Sequence, residues 1–393
     1  MSFIFFGSSI PVDIVNIVQV KRASSCTHAT LKRESYLLNS IRSSRHDRII
    51  FVTTGFSEEK ASFPTKVYFN QGVEYVLLGY NGRNRFIKYM SIMFSIFIWT
   101  VKNLNKGDYA CVYNFQLPYS LPLIVRKLFA RYNLTIDFED FYNKRDMRYY
   151  VNLPLQIAGL KLADAFIASS PDMASYLSLR SQKNIHINGG YPDYPVLKNK
   201  NKNKNKNKNK NKNKKNTEYT TLLYSGTLSE PRGILDLINV FKLNKNHRYK
   251  LVITGSGRIS DDVMNLCTTD KRISYLGNLC QSDFNDIILK ADICINPQWE
   301  SVSINFPSKV TTYLSYGKLV LSTRHSALYK SDYVDYIEFY DRSNNEFWEK
   351  IFYLVENNSI SIQAEERRMK LFSKLISFKT ENLINFINTM LVK

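Results

Sequence analysis

The sequence predicts an α/β protein built as two doubly wound, Rossmann-like domains facing a cleft. Three observations predict it. Short apolar runs alternate with helix-compatible stretches through both halves of the chain. The 393 residues, 44% of them hydrophobic, suffice for two domains with cores of their own. A tract of almost pure alternating Lys-Asn, from Lys198 to Asn216, interrupts the chain between the halves.

The first strand is expected at Phe3 to Phe6 with Gly7 as its turn. A signal peptide is not expected, because Met1-Ser2 brings no basic segment and Gly7, Pro11 and Asp13 stop the apolar run. Further strands are expected at Arg48 to Thr53, Val73 to Leu78, Tyr109 to Tyr113, Leu134 to Phe138 and Ala165 to Ala168. The longest apolar run, Tyr89 to Val101, falls short of the about 20 residues that span a bilayer. It reads as a crossover helix packed on the sheet, the commoner use of such a helix. The other reading is a helix in a headgroup region, flanked by Arg83, Arg85, Lys88 and Lys102. The second half repeats the alternation, with strands expected at Leu222 to Ser225, Lys250 to Thr254, Ile273 to Leu276, Ile293 to Asn296, Leu319 to Ser322 and Tyr336 to Phe339. From Asn344 onward the pattern is helical, with apolar positions at Phe347, Ile351, Leu354, Leu371 and Leu375.

The formal charge of +20 raises the question of nucleic acid, and its location answers it. Ten lysines and no acid lie between Lys198 and Asn216, so half of the excess belongs to that tract. With nothing apolar to bury, the tract is expected to be a disordered linker rather than a binding domain, tolerant of shortening because loop closure depends weakly on length. No specific nucleic-acid partner is expected. The expected boundaries are residues 1–190 for the first domain, 191–217 for the linker, 218–370 for the second domain and 371–393 for a last helix. Five cysteines with no Cys-x-x-Cys pair argue against a disulfide framework, and the five histidines show no paired spacing, so no metal is expected.

The motifs that carry chemistry lie in the second half. Ala291-Asp292-Ile293-Cys294-Ile295 reads as a buried parallel strand, and Pro297 ends it. Pro307 suits a first helical turn, Ser308 offers a capping hydroxyl, Val310 and Leu314 share a face, and Gly317 can end the helix left-handed. Lys309 would bring a positive charge to that helix N-terminus, where phosphate is favoured. This segment resembles the donor-binding loop and helix of retaining GT-B-fold glycosyltransferases of family 4. The resemblance extends in order through Tyr224-Ser225-Gly226-Thr227-Leu228, Pro231-Arg232-Gly233-Ile234, Leu251-Val252-Ile253-Thr254-Gly255-Ser256-Gly257 and Tyr275-Leu276-Gly277. It covers most of the second domain and the first only loosely.

The resemblance implies a GT-B fold and transfer of a sugar, with retention, from a nucleotide-diphosphate sugar to a glycan or lipid-linked glycan of a bacterial surface polysaccharide. The five cysteines are expected to be reduced and mostly buried, in a cytoplasmic protein, with peripheral contact with the inner face of the membrane left open. The resemblance also implies that the last helix crosses back onto the first domain. The donor-binding residues it points to are Gly226, Thr227, Arg232, Gly255, Gly257, Glu300, Ser308, Lys309 and Thr312. The pattern departs at two places. Thr227 stands where many members carry a second phosphate-clamping arginine, and the family's two glutamates fall on Ile304 and Thr312, with Glu300 four residues before the first. These departures leave open a non-catalytic protein that binds a sugar nucleotide or a partner transferase. An epimerase would require acids and histidines grouped in the cleft. In the first domain, Glu139 and Asp140 follow a strand. They are read either as serving the acceptor hydroxyl or as capping the next helix and pairing with Lys144 or Arg145. His28 is a further residue expected near the cleft.

Overall fold

A computed structural model describes residues 1–7, 10, 14, 28–44, 46–54, 64–115, 117–139, 147–192, 219–299, 305–341 and 344–390. The Lys-Asn tract, Asp140, Lys144, Arg145, Glu300 and Ile304 lie outside the described residues, as does the side chain of His28. Contacts divide the chain into two units, Met1–Tyr191 with Phe378–Lys393, and Pro192–Ser377.

The first unit is built on an eight-stranded sheet. Its strands are β1 (Ser2–Phe6), β2 (Arg48–Thr53), β3 (Lys66–Asn70), β4 (Val73–Leu77), β5 (Tyr109–Tyr113), β6 (Asn133–Phe138), β7 (Ala165–Ala168) and β8 (Asn184–Ile187), in the order β3-β4-β2-β1-β5-β6-β7-β8. All pairs are parallel except β3 with β4. The helices are α1 (His28–Arg42), α2 (Arg85–Asn103), α3 (Leu117–Phe129), α4 (Met147–Leu162) and α5 (Pro171–Ser178). The central strands are apolar throughout because both faces are covered, which is why their sequences read so plainly. β3 and β8 were not expected. β3 is a half-exposed edge strand, joined to β4 by a two-residue turn in which Gln71 (φ 48°) and Gly72 (φ 75°) are both left-handed.

The second unit has six strands, β9 (Thr220–Ser225), β10 (Tyr249–Thr254), β11 (Ile273–Tyr275), β12 (Ile293–Asn296), β13 (Leu319–Thr323) and β14 (Ile337–Tyr340), in the order β11-β10-β9-β12-β13-β14 and all parallel. Its helices are α6 (Ile234–Leu243), α7 (Ser260–Thr268), α8 (Gln281–Lys290), α9 (Lys309–Ser315), α10 (Ser326–Tyr329), α11 (Asn344–Glu356) and α12 (Ile362–Thr389). Leu222, Tyr224, Ile253 and Ile295 meet Leu237, Phe241, Phe347 and Trp348 in one core, and the Trp348 Nε1 donates to the Val240 carbonyl at 2.9 Å. α12 continues out of this unit, and its residues from Phe378 on belong to the first.

Strand register is fixed in the same way three times. An aspartate just before one strand accepts a backbone N–H from its neighbour: Asp108 from Ser2 at 2.9 Å, Asp164 from Leu134 at 2.7 Å and Asp292 from Thr221 at 2.8 Å. Each satisfies an otherwise unpaired donor at the start of a parallel ladder.

α2 joins β4 to β5 as the expected crossover helix, but only one stripe of it is buried. Asn84 caps it by accepting from the Ile87 N–H at 2.8 Å, and only Ile92, Ile96 and Thr100 are fully buried, while Phe86 and Phe94 are 75% and 63% exposed. The four described cysteines, Cys111, Cys267, Cys280 and Cys294, are free, and Cys280 is exposed.

Candidate active site

In the second unit the strand order reverses direction between β9 and β12, and such a switch point is where doubly wound sheets bind ligands, beyond the carboxyl ends of the strands. Three loops leave the sheet there and press backbone against backbone. A Cβ on Gly255 would lie 2.0 Å from the Gly226 carbonyl oxygen, and one on Gly257 at 2.0 Å from that of Leu228. One on Gly233 would lie 1.9 Å from the Pro297 oxygen. Gly226, Gly233 and Gly255 also adopt positive φ (140°, 68° and 118°). These glycines are therefore required by loop-on-loop packing, whatever they do for a ligand. Gly233→Ala should cost roughly 1–3 kcal/mol from backbone strain alone and more from the clash, read as a lowered denaturation midpoint.

Lys309 opens α9 and turns inward. Its Nζ is buried, makes no hydrogen bond, lies 4.0 Å from the centre of the Tyr224 ring and sits about where Gly226 leaves space, with 3.3 Å from Nζ to a Cβ built there. Burial, and secondarily the Arg232 charge, hold its ammonium well below the usual lysine range. Arg232 ends a short 3-10 turn and donates Nη1–H to Gln298 Oε1, and Gln298 Nε2 lies 3.1 Å from His325 Nε2. Gln298 and His325 are both buried. Tyr313 ties α9 to the end of β9, its hydroxyl donating to the Ser225 carbonyl at 3.2 Å and accepting from the Ser225 N–H at 2.8 Å.

The structure thus gathers Gly226, Arg232, Gly255 and Lys309 around one point. Ser308 departs from its expected role, since it is in helical conformation and its hydroxyl makes no cap bond. Thr227 is exposed, and its carbonyl accepts from the Tyr224 hydroxyl at 2.8 Å. Thr312 is buried in α9. Gln298 and His325 escaped sequence reasoning, and Tyr224 and Tyr313 lay in the motifs without being given a role. The only signal for them was position, each lying at or just beyond a strand end, or on the helix face turned to one.

The first unit has its own polar cluster at the carboxyl ends of its strands. Arg33 on α1 is buried, with Nη1 3.5 Å from Asp137 Oδ2, Nη2 3.8 Å from Glu34 Oε1, and its Cζ stacked 3.6 Å from the Tyr113 ring centre. Burial alone would lower its pKa, and Asp137 with Glu139 outweighs that and raises it. Glu139 donates its backbone N–H to Asn114 Oδ1 at 2.8 Å and accepts at its carbonyl from Ser169 Oγ at 3.1 Å. Its carboxylate bears on Tyr191, whose hydroxyl is pushed well up by burial and then by Asp137 and Glu139. Among the described residues no group of three or more His, Cys, Asp or Glu could hold a metal ion.

Two doubly wound units, the second with glycine-packed loops and a buried ammonium at its switch point, have the architecture of the GT-B fold. Residues 205–361 match the family described as Glycosyl transferases group 1. Solved structures give the fold over the whole chain. The sucrose-phosphate synthase of Thermosynechococcus elongatus superposes with a TM-score of 0.68 at 12% identity, covering 99% of this chain and 98% of that one. An α,α-trehalose-phosphate synthase (UDP-forming) from Burkholderia vietnamiensis gives 0.66 at 9% identity, covering 100% of both chains. Anabaena HepE in complex with UDP gives 0.60 at 11% identity, again covering 100% of both. No curated protein sequence matches the chain.

Proposed function

We propose that the protein moves a sugar, with retention, from a nucleoside-diphosphate sugar to a glycan or lipid-linked glycan of a bacterial surface polysaccharide, working in the cytoplasm at the membrane's inner face. The observation that carries the donor half is Lys309, a buried ammonium with no hydrogen-bond partner, beside Arg232 at the switch point. A buried cation without an anion costs free energy, and a diphosphate supplies the missing partner. Transfer breaks the bond from the anomeric carbon to a diphosphate oxygen and forms one to the acceptor oxygen, whose proton leaves. The developing negative charge on the leaving diphosphate is what Lys309 and Arg232 would stabilise, without a protein-bound metal. Glu139, at a strand end in the first unit, is the described carboxylate proposed to receive the acceptor proton, with Asp140 beside it in sequence.

HepE was solved with UDP, which favours a uridine diphosphate donor. The names of the sucrose-phosphate and trehalose-phosphate synthases favour a second reading of the acceptor, a small phosphorylated sugar. Calorimetry of the purified protein against UDP, GDP, ADP and CMP sugars tests the donor, with Arg232→Ala and Lys309→Ala alongside. Saturable binding of one nucleotide, weakened in both variants, is expected; binding of none would overturn the reading. With the donor known, turnover on a lipid-linked glycan against a hexose phosphate separates the two acceptors.

A further inference from the structure

α2 is apolar on two sides, and only one is used. At about 100° per residue, Ile92, Ile96 and Thr100 form the buried stripe, whereas Phe86, Met90, Phe94, Phe97, Ile98 and Val101 fall within one arc of about 120° on another side and are all exposed. Surface apolar residues are common singly, but six on one stripe of one helix mark a surface that something covers. α3 packs beside α2, and α4 beside α3, and each adds exposed apolar residues, among them Phe129 and Val151.

The charges of this layer are of one sign. None of the three helices contains an Asp or Glu. From Tyr75 to Gly107 the chain carries Arg83, Arg85, Lys88, Lys102 and Lys106 and no acid at all. A second copy docked by the same face would bring these cations against one another, and a basic protein partner would be repelled likewise. An anionic lipid surface fits both properties, taking the apolar stripe into the acyl boundary and the flanking cations among the headgroups. Among the described residues no helix is long and apolar enough to cross a membrane, so the contact is with the surface.

We infer that the outer face of α2, with the neighbouring helices α3 and α4, docks the protein on a bilayer containing anionic lipids. The inference deepens the membrane-face part of the proposed function and is independent of its donor half, since vesicle binding and nucleotide binding are measured separately. The test is flotation of the full-length protein with phosphatidylcholine vesicles, with and without phosphatidylglycerol, at low and high salt. Binding to the phosphatidylglycerol vesicles, weakened by salt and reduced at least roughly tenfold by Phe86→Ser with Phe94→Ser, is expected, because both the apolar stripe and the charge contribute. Leu179→Ser, at a position 82% exposed on another helix end, should leave binding unchanged. Equal melting temperatures would show that the variants fold, and Lys102→Glu with Lys106→Glu provides a second, purely electrostatic variant. Failure to float with anionic vesicles, or flotation untouched by both variants, would overturn the inference. So would a dimer in sedimentation that the phenylalanine variant dissolves, which would assign the face to a second copy.

Discussion

Lys309→Met is expected to stabilise the ligand-free protein and to weaken nucleotide binding at once. The wild-type ammonium is buried without a hydrogen bond, and removing such a group recovers roughly 1–3 kcal/mol, a rise of a few degrees in the melting temperature. The same substitution removes a charge-assisted bond to diphosphate worth about 1.5–3 kcal/mol, which is about ten- to a hundredfold in affinity. The pH dependence follows from the direction of the shift. The folded pKa lies below the ordinary lysine value, so between the two the unfolded chain binds more protons, and stability rises with pH across that window. The methionine variant loses that slope. A bound diphosphate raises the pKa again, so binding takes up a proton in the same window and the affinity falls as pH rises through it. Calorimetry in two buffers of different ionisation enthalpy reads the proton directly. Unchanged stability together with no proton uptake would remove Lys309 from the site.

Arg33→Met is expected to be the most damaging single change in the first unit. Arg33 and Asp137 are both essentially inaccessible, at 1% and 0% exposure, and removing one partner leaves a buried uncompensated charge at a cost of about 3–5 kcal/mol. Adding Asp137→Asn should recover part of that loss, because it neutralises one of the two buried carboxylates, Asp137 and Glu34, that Arg33 meets. Urea unfolding of the two single variants and the double measures the coupling, and a double variant as unstable as the sum of the singles would mean that the pair is not a unit. The expected order of stability is wild type, then the double variant, then Arg33→Met.

The strands were legible in the sequence because parallel strands covered on both faces must be apolar throughout. β2, β5, β7 and β12 lie where the runs Arg48 to Thr53, Tyr109 to Tyr113, Ala165 to Ala168 and Ile293 to Asn296 placed them. The edge strand β3 was not legible, since its half-exposed residues alternate weakly and its turn places Gln71 where asparagine usually signals left-handed backbone. At the candidate site, Arg232 was singled out by the family resemblance and Lys309 by its place at a helix start. The inward turn of Lys309 could not, because it depends on the space at Gly226, which lies far away in sequence. Arg33 was invisible for the same reason: an arginine on an amphipathic helix reads as solvated, and only the strand carrying Asp137, a hundred residues later, makes it a core residue. Ser308 shows the reverse error, a residue of the right type at a helix start whose backbone is already helical and whose hydroxyl therefore caps nothing.

The far part of α12 bears on how the chain is made. Residues 378–390 complete the first unit. The Thr380 hydroxyl meets that of Tyr36 at 3.1 Å, Phe386 stacks on His186 at 5.1 Å, Thr135 donates to the Met390 sulfur at 3.3 Å, and the Met390 carbonyl accepts from Tyr109. Leu383 and Ile387 are buried in the same place. A ribosome releases the first 191 residues about 10–40 s before it reaches that segment, at about 5–20 residues per second. Through that interval the nascent first unit lacks Leu383, Ile387 and Met390, whereas the second unit, synthesised later, does not wait for them. Maturation therefore runs against the order of translation, and a truncation before Phe378 would damage the half of the protein that was made first.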